Sequence, residues 1–459
     1  MKKLVLFTVT AILIVGGTAS AQQPVASHPA HLRRRPAGRK RWRRRRRVPS
    51  GRRRRFRKNP GGARISPLHL SVKVTRRTRL WRVPGKTSVG EVLAGTYLPL
   101  LDRVMRPRAH KCLGKTFYVV GPRLFVCATA GRPSYQFPHG IPQPVLPSGR
   151  ILPVRVFSAN RDGVSVYRST KDVLAGKLDR VVERGFSFAA RYTSVKIGKQ
   201  RYLVTTRHEY VPKREVWERK PSQFQGIHMD GKPQNTPGCV TARKFAWVWD
   251  RPGRGKKRVG RKARYDWVTI YERKRVGKRR FVRIGENQWL DARLVRRFIF
   301  TTPPRRLSSP DGKWIEVLTG RWQTLVAYEG TKPVFATLVS TGRHEHQSPE
   351  GLFRIWIKIG VDRMNNHPGE AEMYLVEAVP WIMYFYQGFA LHGAYWHDGF
   401  GSPRSHGCIN LSPKDAKTIF DWTTPALPPG WHSRWTDKYA PGTLVRIRRT
   451  PRQKVFYKR

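Results

Sequence analysis

The sequence predicts a mainly β protein of several domains behind a disordered basic arm. From about Leu70 onwards, short runs of aromatic and β-branched residues alternate with polar turns that contain Gly or Pro, a pattern typical of small antiparallel β domains. With 459 residues, 39% of them hydrophobic, and 15 Trp, the chain can build several packed cores. The formal net charge of +64 indicates anionic partners and says nothing about the fold.

The amino-terminal segment predicts export. Two Lys precede an apolar run over residues 4–15, and Ala19-Ser20-Ala21 follows, which is the pattern of a secretory signal peptide over residues 1–21. An uncleaved membrane anchor is the alternative, but the run is shorter than the roughly 20 residues that a span needs. We therefore expect an exported protein, in the periplasm or the cell wall, with no membrane span after cleavage. Nucleic acid is then not an expected partner.

Residues 22–66 predict a disordered, Arg-rich arm. They contain no acidic residue, and 18 Lys or Arg lie between Arg33 and Arg64. Charge repulsion and the shortage of apolar residues argue against a packed core here. The arm is either a solvated linker or a polycationic tether to anionic polymers of the cell envelope, whose attraction would weaken with salt.

Three stretches of the front half follow one layout. Arg201–Val216 and Arg280–Val295, offset by 79 residues, both contain a basic and aromatic strand, a polar turn and a second strand, and a looser version precedes them. Repeats of this kind predict small β-barrels. They resemble bacterial SH3-like domains, over residues 67–135, 155–220 and 240–300. That resemblance implies either modules that bind peptidoglycan or spacers.

Two of the four cysteines flank a predicted hairpin. Cys112 and Cys127 stand on either side of two β-rich runs that meet at Gly121-Pro122. An exported protein can form a disulfide between them. Cys239 has no evident partner and fits an ordinary buried cysteine.

A Pro-rich segment at 301–306 marks the start of a different domain, over residues 311–450. From Asp311 to Thr450 there are 15 Lys or Arg and 13 Asp or Glu, a net charge of +2, so the excess charge lies in front. This back domain begins with strand-like runs, and Pro380 would interrupt a long strand or helix. Ser412-Pro413 provides an N-cap and a first helical residue for a helix ending near Trp422.

The stretch Leu391–Leu411 carries the chemistry of the back domain. It holds three His and one Cys, in the order His392, His397, His406 and Cys408. A neutral imidazole can remove the proton of a thiol and so activate it for nucleophilic attack. Gly407 would let the backbone approach a substrate carbonyl, and the amides of Gly407 and Cys408 could hold an oxyanion. The pattern indicates acyl transfer through a thioester.

Two other interpretations of this stretch remain open on the residues alone. The three His and Cys408 are zinc-ligand types, but His406-Gly407-Cys408 does not have the usual spacing of a structural zinc site. The other interpretation is a structural cysteine in a His-rich loop.

The motifs His392-Gly393 and Ser405-His406-Gly407-Cys408-Ile409-Asn410-Leu411, with the upstream Ser348-Pro349-Glu350-Gly351-Leu352-Phe353, resemble the signature of the YkuD family of L,D-transpeptidase catalytic domains. The likeness covers about Gly312 to Arg449. It implies a β-sandwich-like domain that cross-links peptidoglycan. Cys408 would be the nucleophile and His392 its general base, oriented by the carbonyl of Gly393. Ser405, His406 and Gly407 would shape the site and its oxyanion hole.

The same resemblance suggests substrate-binding residues. Asn410 stands where family members have Arg or Asn, and Tyr374 and Trp381 lie in the segment that walls the donor site. Ser348 replaces the commoner Thr. No metal or other cofactor is implied.

The expected function is therefore peptidoglycan L,D-transpeptidation through a Cys408 thioester on a stem tetrapeptide, with release of D-Ala. Hydrolysis of the same acyl-enzyme, which would make the protein an L,D-carboxypeptidase, and a non-catalytic wall-binding role are the alternatives. A secreted nucleic-acid binder would rest on charge alone.

Overall fold

Residues 68–109, 111–304, 311–365 and 375–457 are described by the computed structural model of the chain. Strands dominate these residues, and α-helix is confined to two short segments, so the predicted mainly β class is confirmed. The predicted signal peptide and basic arm lie outside the described residues. No helix in the described ranges is both long and apolar enough to cross a bilayer.

The first strand group follows the predicted hairpin layout. Its strands are β1 (Ser71–Val74), β2 (Thr78–Val83), β3 (Thr87–Val92), β4 (Tyr97–Pro99), β5 (Asp102–Met105), β6 (Thr116–Gly121), β7 (Leu124–Cys127) and β8 (Gly131–Ser134). Strand β1 pairs with β4 and β8, and the apolar faces enclose Val72, Leu80 and Val126. Strands β6 and β7 form the hairpin between the two cysteines. A disulfide joins Cys112 to Cys127 across it, with Cα atoms 5.6 Å apart.

The second strand group has its own core. It contains β9 (Arg155–Ala159), β10 (Val164–Val166), α1 (Thr170–Ala175), β11 (Arg180–Val182), β12 (Ser187–Ile197), β13 (Gln200–Thr205), β14 (Tyr210–Pro212) and β15 (Val216–Glu218). Five of these strands form one sheet in the order β14-β13-β12-β9-β15. Phe157, Phe188 and Leu203 are buried between that sheet and the β10–β11 hairpin.

The third strand group is preceded by a two-residue strand, β16 (Ile227–His228). The group contains β17 (Thr236–Val240), β18 (Phe245–Trp249), β19 (Arg258–Ala263), β20 (Trp267–Ile270), β21 (Glu272–Val276), β22 (Arg279–Gly285), β23 (Gln288–Asp291) and β24 (Val295–Arg297). Its two sheets have the orders β20-β17-β24 and β19-β18-β23-β22-β21. Val248, Val282 and Leu290 are buried between them.

Residues 62–459 cluster as one unit. The SH3-like character of the three strand groups, their boundaries at 67–135, 155–220 and 240–300, and their binding to the wall stay predictions.

The back domain is a β-sandwich with a helix. Its elements are β25 (Lys313–Leu318), β26 (Thr324–Glu329), β27 (Lys332–Leu338), β28 (Gly351–Arg354), β29 (Ile357–Asn365), β30 (Leu375–Tyr386), β31 (Phe389–Gly393), β32 (Ile409–Leu411), α2 (Pro413–Trp422), β33 (Trp431–Trp435) and β34 (Leu444–Arg448). One sheet has the order β27-β26-β25-β34-β28, and the other begins β32-β31-β30-β29-β33. The core between them contains Val317 and Leu325 from the first sheet and Met383 and Leu391 from the second.

The helix α2 begins as its sequence predicts. The Ser412 side chain accepts a hydrogen bond from the Asp415 amide, and Pro413 is at the first helical position, where a missing amide proton costs nothing. The expectation for Pro380 was wrong. Strand β30 continues through it, because Ala378 and Trp381 adopt φ values of +52° and +54° and the register with β29 shifts nearby.

The front groups are joined to the back domain by sheet pairing. Strand β3 pairs with β33 through Gly90↔Arg434 and Glu91↔Ser433, which makes one continuous ten-stranded sheet. Strand β16 pairs with β27 through Ile227↔Ala336. The front and back of the chain therefore share backbone hydrogen bonds.

Candidate active site

A cavity of about 430 Å³ opens at the edge of the back-domain sheet. It is lined by residues from the back domain and by a loop of the second strand group. These residues are Glu183, Arg184, Gly185, Phe186, Ser187, Arg219, Arg343, Val376, His392, Trp396, Arg404, Ser405, His406, Cys408 and Asn410. The cavity thus gathers five of the predicted site residues.

Parallel pairing of two short strands brings the candidate base to the candidate nucleophile. Strand β31 pairs with β32 in the register Leu391↔Ile409 and His392↔Asn410. Cys408 immediately precedes β32. Neighbouring strands lie about 5 Å apart, so Cys408 and His392 reach the same cavity although 15 residues separate them in sequence.

His392 is a buried, neutral imidazole. It is 2% exposed and stacks on Trp396 with ring centroids 5.6 Å apart. Its Nδ1 lies 3.4 Å from the carbonyl oxygen of Gly393, which is the predicted orienting contact at a long distance. Burial lowers the pKa of His392 to about 4, and this carbonyl opposes the shift. A proton on Nδ1 leaves Nε2 with a lone pair that can accept a proton.

Cys408 is a neutral thiol in the resting site. Burial raises its pKa to about 11, and a backbone hydrogen bond from Ala390 works in the opposite direction. The thiol Sγ lies 3.9 Å from the Gly388 carbonyl oxygen. Thiol and imidazole are therefore both uncharged near neutral pH, so a nucleophilic attack by this thiol would require proton transfer between them.

Ser405 holds the loop in front of Cys408. Its hydroxyl donates to the carbonyl oxygen of Cys408 at 2.6 Å and accepts from the amide of Gly407 at 3.1 Å. The Gly407 amide, which the sequence suggested for the oxyanion hole with that of Cys408, is thus directed at Ser405. Gly407 has φ +112°, and a Cβ there would lie 2.3 Å from the Phe389 ring. Glycine is therefore required at this position on two counts.

The back domain is placed by a family comparison. A family model of the L,D-transpeptidase catalytic domain, YkuD, matches residues 312–447. These residues belong to the YkuD family.

Solved structures similar to this YkuD domain are L,D-transpeptidases. A mutant of the Enterococcus faecium L,D-transpeptidase is 22% identical, covers 30% of this chain and 50% of its own, and has a TM-score of 0.24. The L,D-transpeptidase (Yku) from Stackebrandtia nassauensis is 26% identical over 30% of this chain and 57% of its own, with a TM-score of 0.21.

A third structure, the L,D-transpeptidase from Mycobacterium smegmatis, is 16% identical over 51% of this chain and 90% of its own, with a TM-score of 0.25. The chain spans about half the length of the first of these structures. No curated protein matched the chain.

Ser348 links two loops of the YkuD domain, a connection that the sequence did not reveal. Its hydroxyl donates to the Gly407 carbonyl oxygen at 2.7 Å and accepts from the Gly342 amide at 3.0 Å. His406 precedes Gly407, and its Nε2 lies 2.7 Å from a guanidinium nitrogen of Arg343. Because a guanidinium only donates, this ring nitrogen accepts, and His406 is part of the scaffold of the site.

Asn410 lines the cavity, and one polar atom of its side chain has no partner among the described residues. Its side-chain amide contacts His397 Nε2 at 2.9 Å, while His397 Nδ1 accepts from the Gly399 amide at 3.1 Å. The proton of the neutral ring is therefore on Nε2, so the Asn410 amide oxygen is the atom that accepts it. The other amide atom is buried without a partner among the described residues. His397 is therefore part of the support of Asn410.

Trp381, one of the two predicted donor-site residues, does not line this cavity. Trp381 is 2% exposed and packs in the sandwich core of the YkuD domain. It borders a separate cavity, together with residues 141–146 and Phe420. Its backbone is left-handed, with φ +54°. Tyr374 lies outside the described residues.

The second strand group completes the cavity wall of the YkuD domain. Arg219 donates from Nη1 to the Trp396 carbonyl at 3.2 Å and from Nε to Ser158 at 2.7 Å. Glu377 of β30 pairs with Arg207 and accepts from the Ala189 amide at 3.4 Å. These contacts join the second strand group to the YkuD domain beside the cavity. They join residues far apart in sequence, so no local pattern predicts them.

No group of three or more His, Cys, Asp or Glu within the described ranges is arranged to hold a metal ion. The cavity instead offers a thiol, an imidazole and arginine side chains. These groups suit attack on a carbonyl and recognition of carboxylates.

Proposed function

We propose that the protein is a peptidoglycan L,D-transpeptidase that works through a thioester on Cys408. The observation that carries the proposal is that Cys408 and His392 line one cavity of a YkuD domain. Arg343 and Arg404 border the same cavity, and their charges suit the carboxylates of a stem peptide.

Acylation starts from the neutral pair. His392 Nε2 takes the Cys408 thiol proton as Sγ attacks the carbonyl carbon of the third residue of a donor tetrapeptide. The tetrahedral intermediate collapses by breaking the bond to the terminal D-Ala nitrogen. That nitrogen takes the proton from His392, so D-Ala leaves as an amine and the donor remains as a thioester on Cys408.

Transfer reverses these proton movements. The side-chain amine of the diamino acid in a neighbouring stem attacks the thioester carbonyl and gives a proton to His392. The carbon–sulfur bond then breaks, and the thiolate recovers that proton. An amide cross-link and the free Cys408 thiol result. Ser405 and Gly407 hold the loop that carries Cys408 during both steps.

Intact-protein mass spectrometry with a carbapenem tests the nucleophile. We expect one covalent adduct on the wild type, located on Cys408, and none on Cys408→Ala. Cys239→Ala is the matched control, since Cys239 is fully buried outside the cavity, and this variant should react like the wild type. Failure of the wild type to form an adduct would favour a non-catalytic wall-binding role.

Product analysis separates transfer from hydrolysis. Purified protein is given a donor tetrapeptide stem with and without an acceptor stem, and the products are resolved by liquid chromatography with mass detection. Transpeptidation predicts D-Ala release with a cross-linked dimer. D-Ala release with tripeptide alone would identify an L,D-carboxypeptidase, and cross-linking by Cys408→Ala would refute the assignment.

The setting of this activity is part of the proposal. A predicted signal peptide and 18 Lys or Arg between Arg33 and Arg64 support an exported enzyme tethered to anionic polymers of the envelope. A pull-down with purified sacculi and with DNA over a range of salt concentrations tests it. Stronger retention by sacculi than by DNA at physiological salt is the expected result.

A further inference from the structure

Another cavity, which shares no lining residue with the Cys408 cavity, is lined mainly by cationic side chains. It has a volume of about 530 Å³ and lies between the third strand group and the β25–β26 turn of the YkuD domain. Eight arginines and one lysine line it: Arg273, Arg275, Lys278, Arg279, Arg280, Arg293, Arg296, Arg297 and Arg321. None of the described residues that line it is acidic. We propose that this cavity binds a ligand that carries clustered phosphate groups.

The cationic charge here is concentrated by the hairpin β21–β22. Its pairing places Arg275 directly opposite Arg280 and Arg273 opposite Val282, so the arginines share the face of the buried Val282. Like charges in facing positions destabilise a sheet. The hairpin's one acidic residue, Glu272, forms an ion pair with Arg283, outside the cavity lining. An external anion would relieve the repulsion that this arrangement leaves.

Few of the lining cations have a carboxylate partner. Within the described part of the chain only Arg293 has one, Asp291 at 2.8 Å. Arg296 Nε donates to the Gly401 carbonyl oxygen at 2.9 Å and Arg275 Nε to that of Gly277 at 3.0 Å. Carbonyl oxygens hold these groups in place but do not neutralise them.

Trp322 fixes two of the guanidinium groups. Arg297 and Arg321 lie over its buried ring at 4.9 and 5.0 Å from the centroid. Burial, with repulsion from Arg273 and Arg321, lowers the pKa of Arg297 to about 10. Two guanidinium groups held on one ring are pre-organised, so little entropy is lost when they bind an anion.

Phosphate fits this cavity better than carboxylate. A phosphate monoester carries about −1.5 to −2 charges and three acceptor oxygens, and arginine binds it with two parallel hydrogen bonds. Two phosphates therefore bring the charge of about three to four carboxylates into the same volume. The chain's own arm is basic over residues 22–66, which excludes it as the occupant. A soluble oligophosphate and a phosphorylated lipid headgroup share this chemistry.

The test uses the full chain and measures the rate of chemical modification of each arginine separately. Phenylglyoxal modification is measured by peptide mass spectrometry with tripolyphosphate, with citrate, and with phosphatidylcholine vesicles that contain or lack phosphatidic acid. We expect tripolyphosphate to slow modification of Arg273, Arg280 and Arg321 by about tenfold, and to leave exposed Arg243 nearly unchanged. Additional protection by phosphatidic acid would identify a membrane source, and protection by tripolyphosphate alone a soluble one. Equal protection by citrate, or equal protection of Arg243, would overturn the proposal.

A matched pair of double variants, both of which retain the basic arm, separates phosphate binding in the cavity from binding by the arm. Arg273→Gln with Arg280→Gln takes two charges from the cavity, and Lys244→Gln with Lys274→Gln takes two exposed charges from outside its lining. We expect tripolyphosphate affinity to fall about tenfold in the first double variant and less than twofold in the second. Equal losses would mean that only net charge matters. Both variants keep Cys408 and His392, so carbapenem acylation reports separately on the proposed catalytic function.

Discussion

At the scale of single residues, the Ser348 hydroxyl connects the loop that carries Cys408 to a neighbouring loop. It bridges the Gly342 amide and the Gly407 carbonyl, and it is 7% exposed. A buried amide and carbonyl that lose their partner cost about 1–3 kcal/mol. The loss would fall on the loop that aims Cys408, so catalysis should be affected together with stability.

We predict that Ser348→Ala lowers the rate of carbapenem acylation about tenfold and the free energy of unfolding by about 1–3 kcal/mol. Stopped-flow fluorescence measures the first quantity and urea unfolding the second. Ser348→Thr keeps the hydroxyl and should restore both to near the wild-type values. If Ser348→Ala acylated at the wild-type rate, the bridge would have no role in aiming Cys408.

The resting charges of Cys408 and His392 predict an unusual pH dependence. With pKa values of about 11 for Cys408 and about 4 for His392, both groups are neutral from about pH 5 to 10. The acylation rate should be level across that range and fall as His392 becomes protonated near pH 4. Carbapenem inactivation rates across this range measure it, with circular dichroism as the folding control. An inflection near pH 6.5 would indicate a solvated histidine instead.

At the scale of elements, helix α2 ends on a buried lysine. Lys358 of β29 donates from Nζ to the carbonyl oxygens of Phe420 at 2.5 Å and Thr423 at 2.8 Å. It thereby satisfies carbonyl groups that a helix C-terminus leaves unpaired. Burial lowers the pKa of Lys358 to about 7, far below its ordinary value, so the fold favours its neutral form.

The buried lysine makes stability increase with pH. The unfolded chain binds a proton on Lys358 up to about pH 10.5, while the folded chain releases it near pH 7. The unfolded state therefore holds more protons between these values, and the free energy of unfolding rises with pH there, by about 2 kcal/mol from pH 7 to 9. Urea titrations should show this rise in the wild type and lose it in Lys358→Met. An equal rise in both would mean that another group is responsible.

Local patterns predicted the elements whose causes are local. The Ser412-Pro413 start of α2 and the hairpin between Cys112 and Cys127 depend on neighbours in sequence. The strand through Pro380 was not foreseen, because pairing with β29 outweighs the preference of one proline. Trp381 was assigned to the site by its position in the segment, whereas its side chain packs in the core between the two sheets.

At the scale of the whole molecule, pairing between residues far apart in sequence joins the front strand groups to the YkuD domain, and the sequence did not predict these contacts. The loop 183–187 lines the cavity, and Arg219 and Glu377 connect its strand group to the YkuD domain. Likewise, the predicted picture of modules in front of a catalytic domain omits the pairing of β3 with β33. Composition and periodicity describe single strands, and they carry no information about which strand pairs across several hundred residues.

The junction of β3 and β33 requires a glycine at position 90, and this gives a test of the continuous sheet. A Cβ at Gly90 would lie 2.4 Å from the Ser433 carbonyl oxygen and 2.7 Å from the Trp431 ring. Gly90→Val should therefore weaken the junction by about 2 kcal/mol, which corresponds to roughly 30-fold faster amide exchange in Trp431–Trp435. Hydrogen-exchange mass spectrometry measures this. Gly260→Val is the control, because the nearest atom to its Cβ is 4.0 Å away, and it should leave that segment protected. Unchanged exchange in Gly90→Val would mean that the first strand group and the YkuD domain are not held together by this pairing.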